Sequence, residues 1–279
     1  MNIVVSLMAE ARPLIDLLRL HRLAGKHPFL IYTNEDFNLI ISGIGKLFSA
    51  AATAYLQALT RKEGPVAWFN FGIAGHRDLE IGQGFIAHKV TDQATQRCYY
   101  PPLIYPLPCA TSDLTTVDTP NKEYKTSGGY DMEASGYYQM ALRSTTIEWV
   151  QCYKVVSDIP QYPVEKITKA SVIRLMDEHL DEIEIILSTL IDAINRHATA
   201  LIQDMALSTE FDIITQQWHF TETQKSQLSK LLQRWLTLHG KYFPAQLARE
   251  AQNAESSVTS AKAFLADIEQ KLSNHLITF

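Results

Sequence analysis

Acidic side chains stand directly after apolar runs at several points in the chain, and glycine pairs follow two more. Glu10 comes after the run from Asn2 to Leu7, Asp131 and Glu133 sit in Gly129-Tyr-Asp-Met-Glu-Ala-Ser-Gly-Tyr-Tyr138, and Asp158 closes the run from Cys152 to Ser157. Ser42-Gly-Ile-Gly-Lys46 and Asn70-Phe-Gly-Ile-Ala-Gly75 place glycines at 43, 45, 72 and 75. Glycine allows a backbone to approach a ligand closely or to adopt positive φ, and a positioned carboxylate can bind a hydroxyl or move a proton. Each segment alone has a purely structural explanation as well. Tight turns require the glycines, Asp158 suits a helix N-cap, and acids on a first helical turn complement the macrodipole.

The elements around these residues decide between the two. From residue 1 to about 160, short apolar runs alternate with helical patterns. Asn2 to Leu7, Phe29 to Thr33, Leu39 to Ser42, Val66 to Phe71, Phe85 to Val90 and Cys152 to Ser157 read as strands. Helices begin near Glu10, Leu47 and Met132, in the β-then-α order of an α/β sheet covered on both faces. The acids and glycines therefore fall where ligands reach such sheets, beyond the carboxyl ends of the strands.

After about residue 163 the strand signals stop. Leu180, Ile183, Leu187, Leu190, Ile194, Ala198, Leu201 and Met205 keep helical spacing. A second helix opens at the capping box Thr221-Glu-Thr-Gln224 and ends at Gly240, with Leu228, Leu231, Leu232, Trp235 and Leu238 as its stripe. A third is predicted from about Pro244 toward His275. The chain thus divides into an α/β domain over 1–185 and an all-helical extension over 186–279.

Composition narrows the partners. The chain has 279 residues, 46% hydrophobic, enough for one substantial core plus an appendage. A net charge of -5 with scattered basic residues excludes a nucleic-acid or anionic-membrane footprint. Cys98, Cys109 and Cys152 show no metal spacing and fit reduced thiols of a cytoplasmic protein. The opening MNIVVSLMAEARPL reads as a buried strand rather than a signal peptide. The acidic run Asp177-Glu-His-Leu-Asp-Glu182 reads as a solvated helix face, and no metal or cofactor is expected.

In their order along the chain, Glu10 after strand one, the Gly43/Gly45 loop, the Gly72/Gly75 loop, Asp131-Met-Glu133 on a helix and Ser157-Asp158 resemble the nucleoside phosphorylase/nucleosidase superfamily. The likeness is strongest to 5′-methylthioadenosine/S-adenosylhomocysteine nucleosidases and covers about residues 1 to 180. It implies a three-layer nucleoside phosphorylase-like fold with a central mixed sheet, followed here by the helical extension. It also implies hydrolysis of the N-glycosidic bond of a purine nucleoside, an adenosine-type thionucleoside being favoured.

The resemblance assigns roles residue by residue. Glu10 would activate the attacking water and Asp158 would help protonate the leaving base at N7. Met132 and Glu133 would hold the ribose, and Gly43, Gly45, Ile73, Ala74, Gly75 and Val117 would line the pocket, with Tyr99 or Tyr100 stacking on the base. These roles suit the chemistry. N-glycosidic cleavage develops oxocarbenium character on the sugar and negative charge on the base, so it needs carboxylates near one and an acid at the other.

Phosphorolysis is the alternative, but a phosphate site usually takes arginine. Asn70 stands where phosphorylases of this superfamily carry one, and Arg12 reads as a surface residue. Ile73 replaces the family's small hydroxyl residue and the middle of the chain is short, with Thr116-Val117-Asp118 as the remnant of the base-clamping segment. Both departures motivate a further alternative, a non-catalytic nucleoside sensor. A homodimer is implied by the resemblance. Trp218, Phe220 and Trp235 serve either a helical core or an interface for a protein partner on the extension.

Overall fold

The computed structural model describes residues 1–60, 66–104, 106–121, 123–162, 166–239 and 260–275. They form two compact units, Met1–Arg196 and His197–Phe279. In the first, the elements follow as β1 (Asn2–Val5), α1 (Met8–Leu17), β2 (His21–Arg22), β3 (Leu30–Thr33), β4 (Asn38–Ile41) and α2 (Lys46–Leu59). Next come β5 (Trp68–His76), β6 (Gly84–Asp92), β7 (Cys98–Tyr99), β8 (Ala110–Thr116) and β9 (Gly129–Asp131). The unit continues with α3 (Ala134–Ala141), β10 (Val150–Asp158) and α4 (Lys169–Asp177), and then the start of α5 (Leu180–Thr215).

These strands build one mixed sheet in the order β10-β6-β8-β9-β5-β1-β4-β3-β2, with β7 on β6. β10 also pairs with β5, so β5, β10, β6, β8 and β9 close into a ring. β1, β4, β5 and β10 run parallel, and their carboxyl ends therefore emerge together. Helices α1, α4 and α5 bury Leu14, Ile15, Val172, Met176, Ile183 and Leu187 against one face. Ala52 and Leu56 of α2 and Tyr137, Tyr138 and Ala141 of α3 pack on the other. The expected three-layer α/β arrangement is the one found.

Two local expectations are corrected. Asn70-Phe-Gly-Ile-Ala-Gly75 is not a loop but the middle of β5, because β10 pairs with it through Gly75 and β9 pairs at Gly75 and His76. Asp131 and Met132 do not begin a helix. Asp131 ends β9, its carbonyl accepting from Val117 N at 2.8 Å, and α3 starts only at Ala134. β8 and β9 carried too many Ser, Thr, Asp and Gly to read as strands, and their ladder to β6 and β5 supplies what local propensity lacks.

The second unit holds the end of α5, then α6 (Glu222–His239) and α7 (Ala261–His275). The capping box forms as expected, Thr221 N donating to Gln224 Oε1 at 2.9 Å and Gln224 N to Thr221 Oγ1 at 3.3 Å. Ile214, Phe220, Leu228, Leu232, Trp235, Phe264, Leu265, Ile268 and Leu272 make its core, with Trp218 stacked on Phe264 at 4.9 Å. The three large aromatics thus pack inside the unit. The expected helix start near Pro244 lies outside the described residues, as do the side chains of Ala198, Leu201, Met205 and Leu238.

Candidate active site

The first turn of α1, which follows β1, carries Glu10, and the residue is 1% exposed. Ser6 Oγ and Leu7 N donate to its Oε2 at 2.5 and 2.8 Å, and Ile73 N donates to Oε1 at 2.9 Å. A carboxylate offers about four acceptor sites, so these three donors fix the group and leave room for one more. The side chain of Ile73 takes no part in this contact, which its backbone makes.

Gly45 stands at φ 103°, a conformation that a side chain would resist, and its amide donates to Glu133 Oε1 at 2.7 Å. Burial pushes the Glu133 carboxyl up to about 7, aided by the charge of Asp131 and opposed by Lys154 and the Gly45 amide. Asp131 is committed on both oxygens. Oδ1 accepts from Thr116 Oγ1 at 2.8 Å, while Oδ2 accepts from Ala134 N at 2.8 Å and meets Lys154 Nζ at 3.1 Å. Lys154 is 2% exposed within β10. Burial alone would lower its pKa, but the neighbouring acids, Asp131 first, raise it above the ordinary value.

Asp158 ends β10. Ser157 Oγ donates to its Oδ1 at 2.5 Å and the Tyr124 hydroxyl to its Oδ2. Glu10, Glu133 and Asp158, together with Ile73, Ala74, Gly75, Val117 and Met132, line one cavity of about 560 Å³, a volume suited to a small ligand. Leu7, Met8, Ile44, Ile167 and Val172 supply apolar wall.

Not every expected residue reaches the cavity. Tyr99 does not line it: the residue lies in β7 and stacks on Tyr138, ring centres 5.5 Å apart, because β7 pairs back onto β6. Gly43 lies beside the wall rather than in it, and Gly45 acts through Glu133. Asn70 points into the sheet, donating to Val4 O at 2.9 Å. Lys46 bridges Asp92 and Asp118 at 3.2 and 2.9 Å, and Arg12 is an exposed partner of Asp16. His76 is buried with Nδ1 accepting the Asp78 and Leu79 amides and Nε2 at 2.9 Å from Ser112 Oγ. Among the described residues no cluster of His, Cys, Asp and Glu could hold a metal, and no helix is long and apolar enough to cross a membrane.

Lys154 and Tyr124 have no place in the sequence reading, and Asp131, singled out there beside Glu133, had no role assigned. A lysine inside the apolar run of β10 was a usable signal, since an unpaired charge is rarely buried. Nothing in Glu123-Tyr-Lys125 distinguished Tyr124 from a surface loop residue.

Neither a protein-family model nor a curated protein matches the chain. Solved structures do. The 5′-methylthioadenosine/S-adenosylhomocysteine nucleosidase from S. pneumoniae, with a transition-state inhibitor, matches at TM-score 0.54 and 17% identity over 68% of this chain and 97% of that one. The fold is that of the nucleosidases. The 5′-methylthioadenosine nucleosidase of Arabidopsis thaliana matches at 0.53 and 16% identity, covering 70% of this chain and 95% of that one. A futalosine hydrolase mutant from Helicobacter pylori matches at 0.53 and 11%, over 69% and 98%. The share of this chain within the nucleosidase fold is about the size of the first unit.

Proposed function

We propose that the cavity hydrolyses the N-glycosidic bond of a purine nucleoside, an adenosine-type thionucleoside being the favoured class. The observation that carries this reading is the convergence of three buried carboxylates from separate elements, Glu10, Glu133 and Asp158, on one cavity. Asp158 passes a proton to the base nitrogen as the glycosidic electron pair leaves with the base. Water adds to the sugar carbon, and Glu10, with an acceptor site still open, takes its proton. Glu133 accepts the ribose hydroxyls and Met132 lies against the sugar face. Exchange with solvent returns the two acids to their starting protonation.

Water rather than phosphate is the favoured nucleophile, because no arginine lines the cavity among the described residues. The thioether end of the favoured class fits the apolar wall of Met8, Ile44, Ile167 and Val172. Incubation with a nucleoside panel, with and without phosphate, tests the reading by chromatography of the free base. Base release is expected without phosphate, and Asp158→Asn is expected to lower it by about 10³-fold, the scale of general-acid catalysis. Strict phosphate dependence would replace hydrolysis by phosphorolysis. Thermal stabilisation by a nucleoside with no turnover would replace catalysis by sensing.

A further inference from the structure

The loop between β8 and β9 brings Tyr124 into the cavity wall, and its hydroxyl donates to Asp158 Oδ2. Local contacts hold it there against an unfavourable backbone conformation. Tyr124 has φ 45°, in the left-handed region that a bulky residue seldom occupies, and Asn121 Oδ1 supports this turn by accepting the Glu123 and Tyr124 amides at 3.0 and 3.3 Å. Tyr130 meets the ring edge-on, with centres 5.6 Å apart and planes at 86°. Beneath the pair lies Gly75, where a Cβ would stand 2.6 Å from Asp158 Oδ2 and 2.7 Å from the Tyr124 hydroxyl. The absence of a side chain at 75 is what makes room for the contact. Tyr124 itself is 3% exposed.

We propose that Tyr124 is a positioning residue for departure of the base, acting through Asp158; the proposal rests on the hydrolase reading. As the glycosidic bond breaks, its electron pair goes to the base and the Asp158 proton follows. The carboxylate left behind is then held by two hydroxyl donors, Ser157 on Oδ1 and Tyr124 on Oδ2. A donor to the charged form stabilises that form, so the Tyr124 hydroxyl promotes the step that creates the carboxylate. It contributes nothing where a leaving group departs without a proton.

That difference is the test. Wild type, Tyr124→Phe and Asp158→Asn are compared on a purine nucleoside and on two substrates whose leaving groups need no proton, p-nitrophenyl β-D-ribofuranoside and a 7-methylpurine nucleoside. Phenylalanine keeps the ring and its packing on Tyr130. On the purine nucleoside, Tyr124→Phe is expected to lower kcat by about tenfold to a hundredfold, the factor one hydrogen bond to a charged group supplies, with KM little changed. Activity on the proton-independent substrates is expected to stay within about twofold, since no carboxylate is formed there. Equal losses on all substrates, a rise in KM at unchanged kcat, or no loss at all would overturn the assignment while leaving the hydrolase reading intact. Absence of base release by the wild type would overturn that reading, and the assignment with it.

Discussion

The two units of this chain bury different things. The first encloses Glu10, Asp131, Glu133, Lys154, Asp158 and a further set of polar side chains, whereas the buried residues described for the second are apolar or aromatic. Burying charge is costly unless it is paired and hydrogen-bonded. The first unit meets that cost with Ser6, Thr116, Ser157, Tyr124 and backbone amides, each aimed at a particular carboxylate oxygen. The described residues of the second fill an apolar helical core. Buried charge thus marks where the fold has been shaped around chemistry, and an apolar core marks where it has been shaped around packing.

The contrast is broken most directly at Lys154. Replacing it with Met leaves Asp131, Glu133 and Glu10 crowded without their buried cation, and removing one partner of a buried pair typically costs about 4 kcal/mol. Lys154→Met is therefore expected to lower stability in denaturant titrations by about that much, and by less in mildly acidic solution, where carboxylates take up protons. A loss under about 1 kcal/mol would mean that the lysine is not the charge the acids are built around.

Leu232 of α6 provides the opposite case. It is 1% exposed in the helical core, and Leu232→Ala is expected to cost about 3 kcal/mol through lost burial and the cavity left behind. Because no titratable residue of the second unit is among the buried residues described, the loss should be nearly the same at mildly acidic and neutral pH. A loss that changes with pH would show that the second unit has an ionisable core after all.

The same contrast explains what the sequence made legible. Helical spacing at Ile183, Leu187, Leu228 and Leu232 needs only local periodicity, and the Thr221 capping box closes within one turn; both stood out and both formed. The parallel strands were visible as apolar runs, Glu10 and Asp158 as acids at their ends, and Glu133 as an acid at the start of a helical pattern. β8 and β9 were not, because their strand character comes from neighbours distant in sequence. Lys154 and Tyr124 were missed for a related reason. Their significance lies in partners at Asp131 and Asp158, 23 and 34 residues away respectively. Tyr99 stacks on Tyr138 instead of facing a base, because an aromatic beside a loop serves a strand pair as readily as a base.

The finest test of the contrast is Glu133, whose carboxyl burial raises from 4.5 to about 7. Between those values the native state holds a proton that the unfolded chain has released, so stability falls as pH rises through the window, by at most about 1.4 kcal/mol per pH unit. The contribution is complete below 4.5 and gone once pH exceeds the folded value. Glu133→Gln removes this titration and keeps an amide oxygen for the Gly45 amide, so its stability should vary less between pH 4.5 and 7 than that of the wild type. The two proteins should then differ most in slope, not in stability at any single pH. Parallel curves would show that Glu133 stays ionised in the empty cavity, with Lys154 balancing Glu133 as well as Asp131.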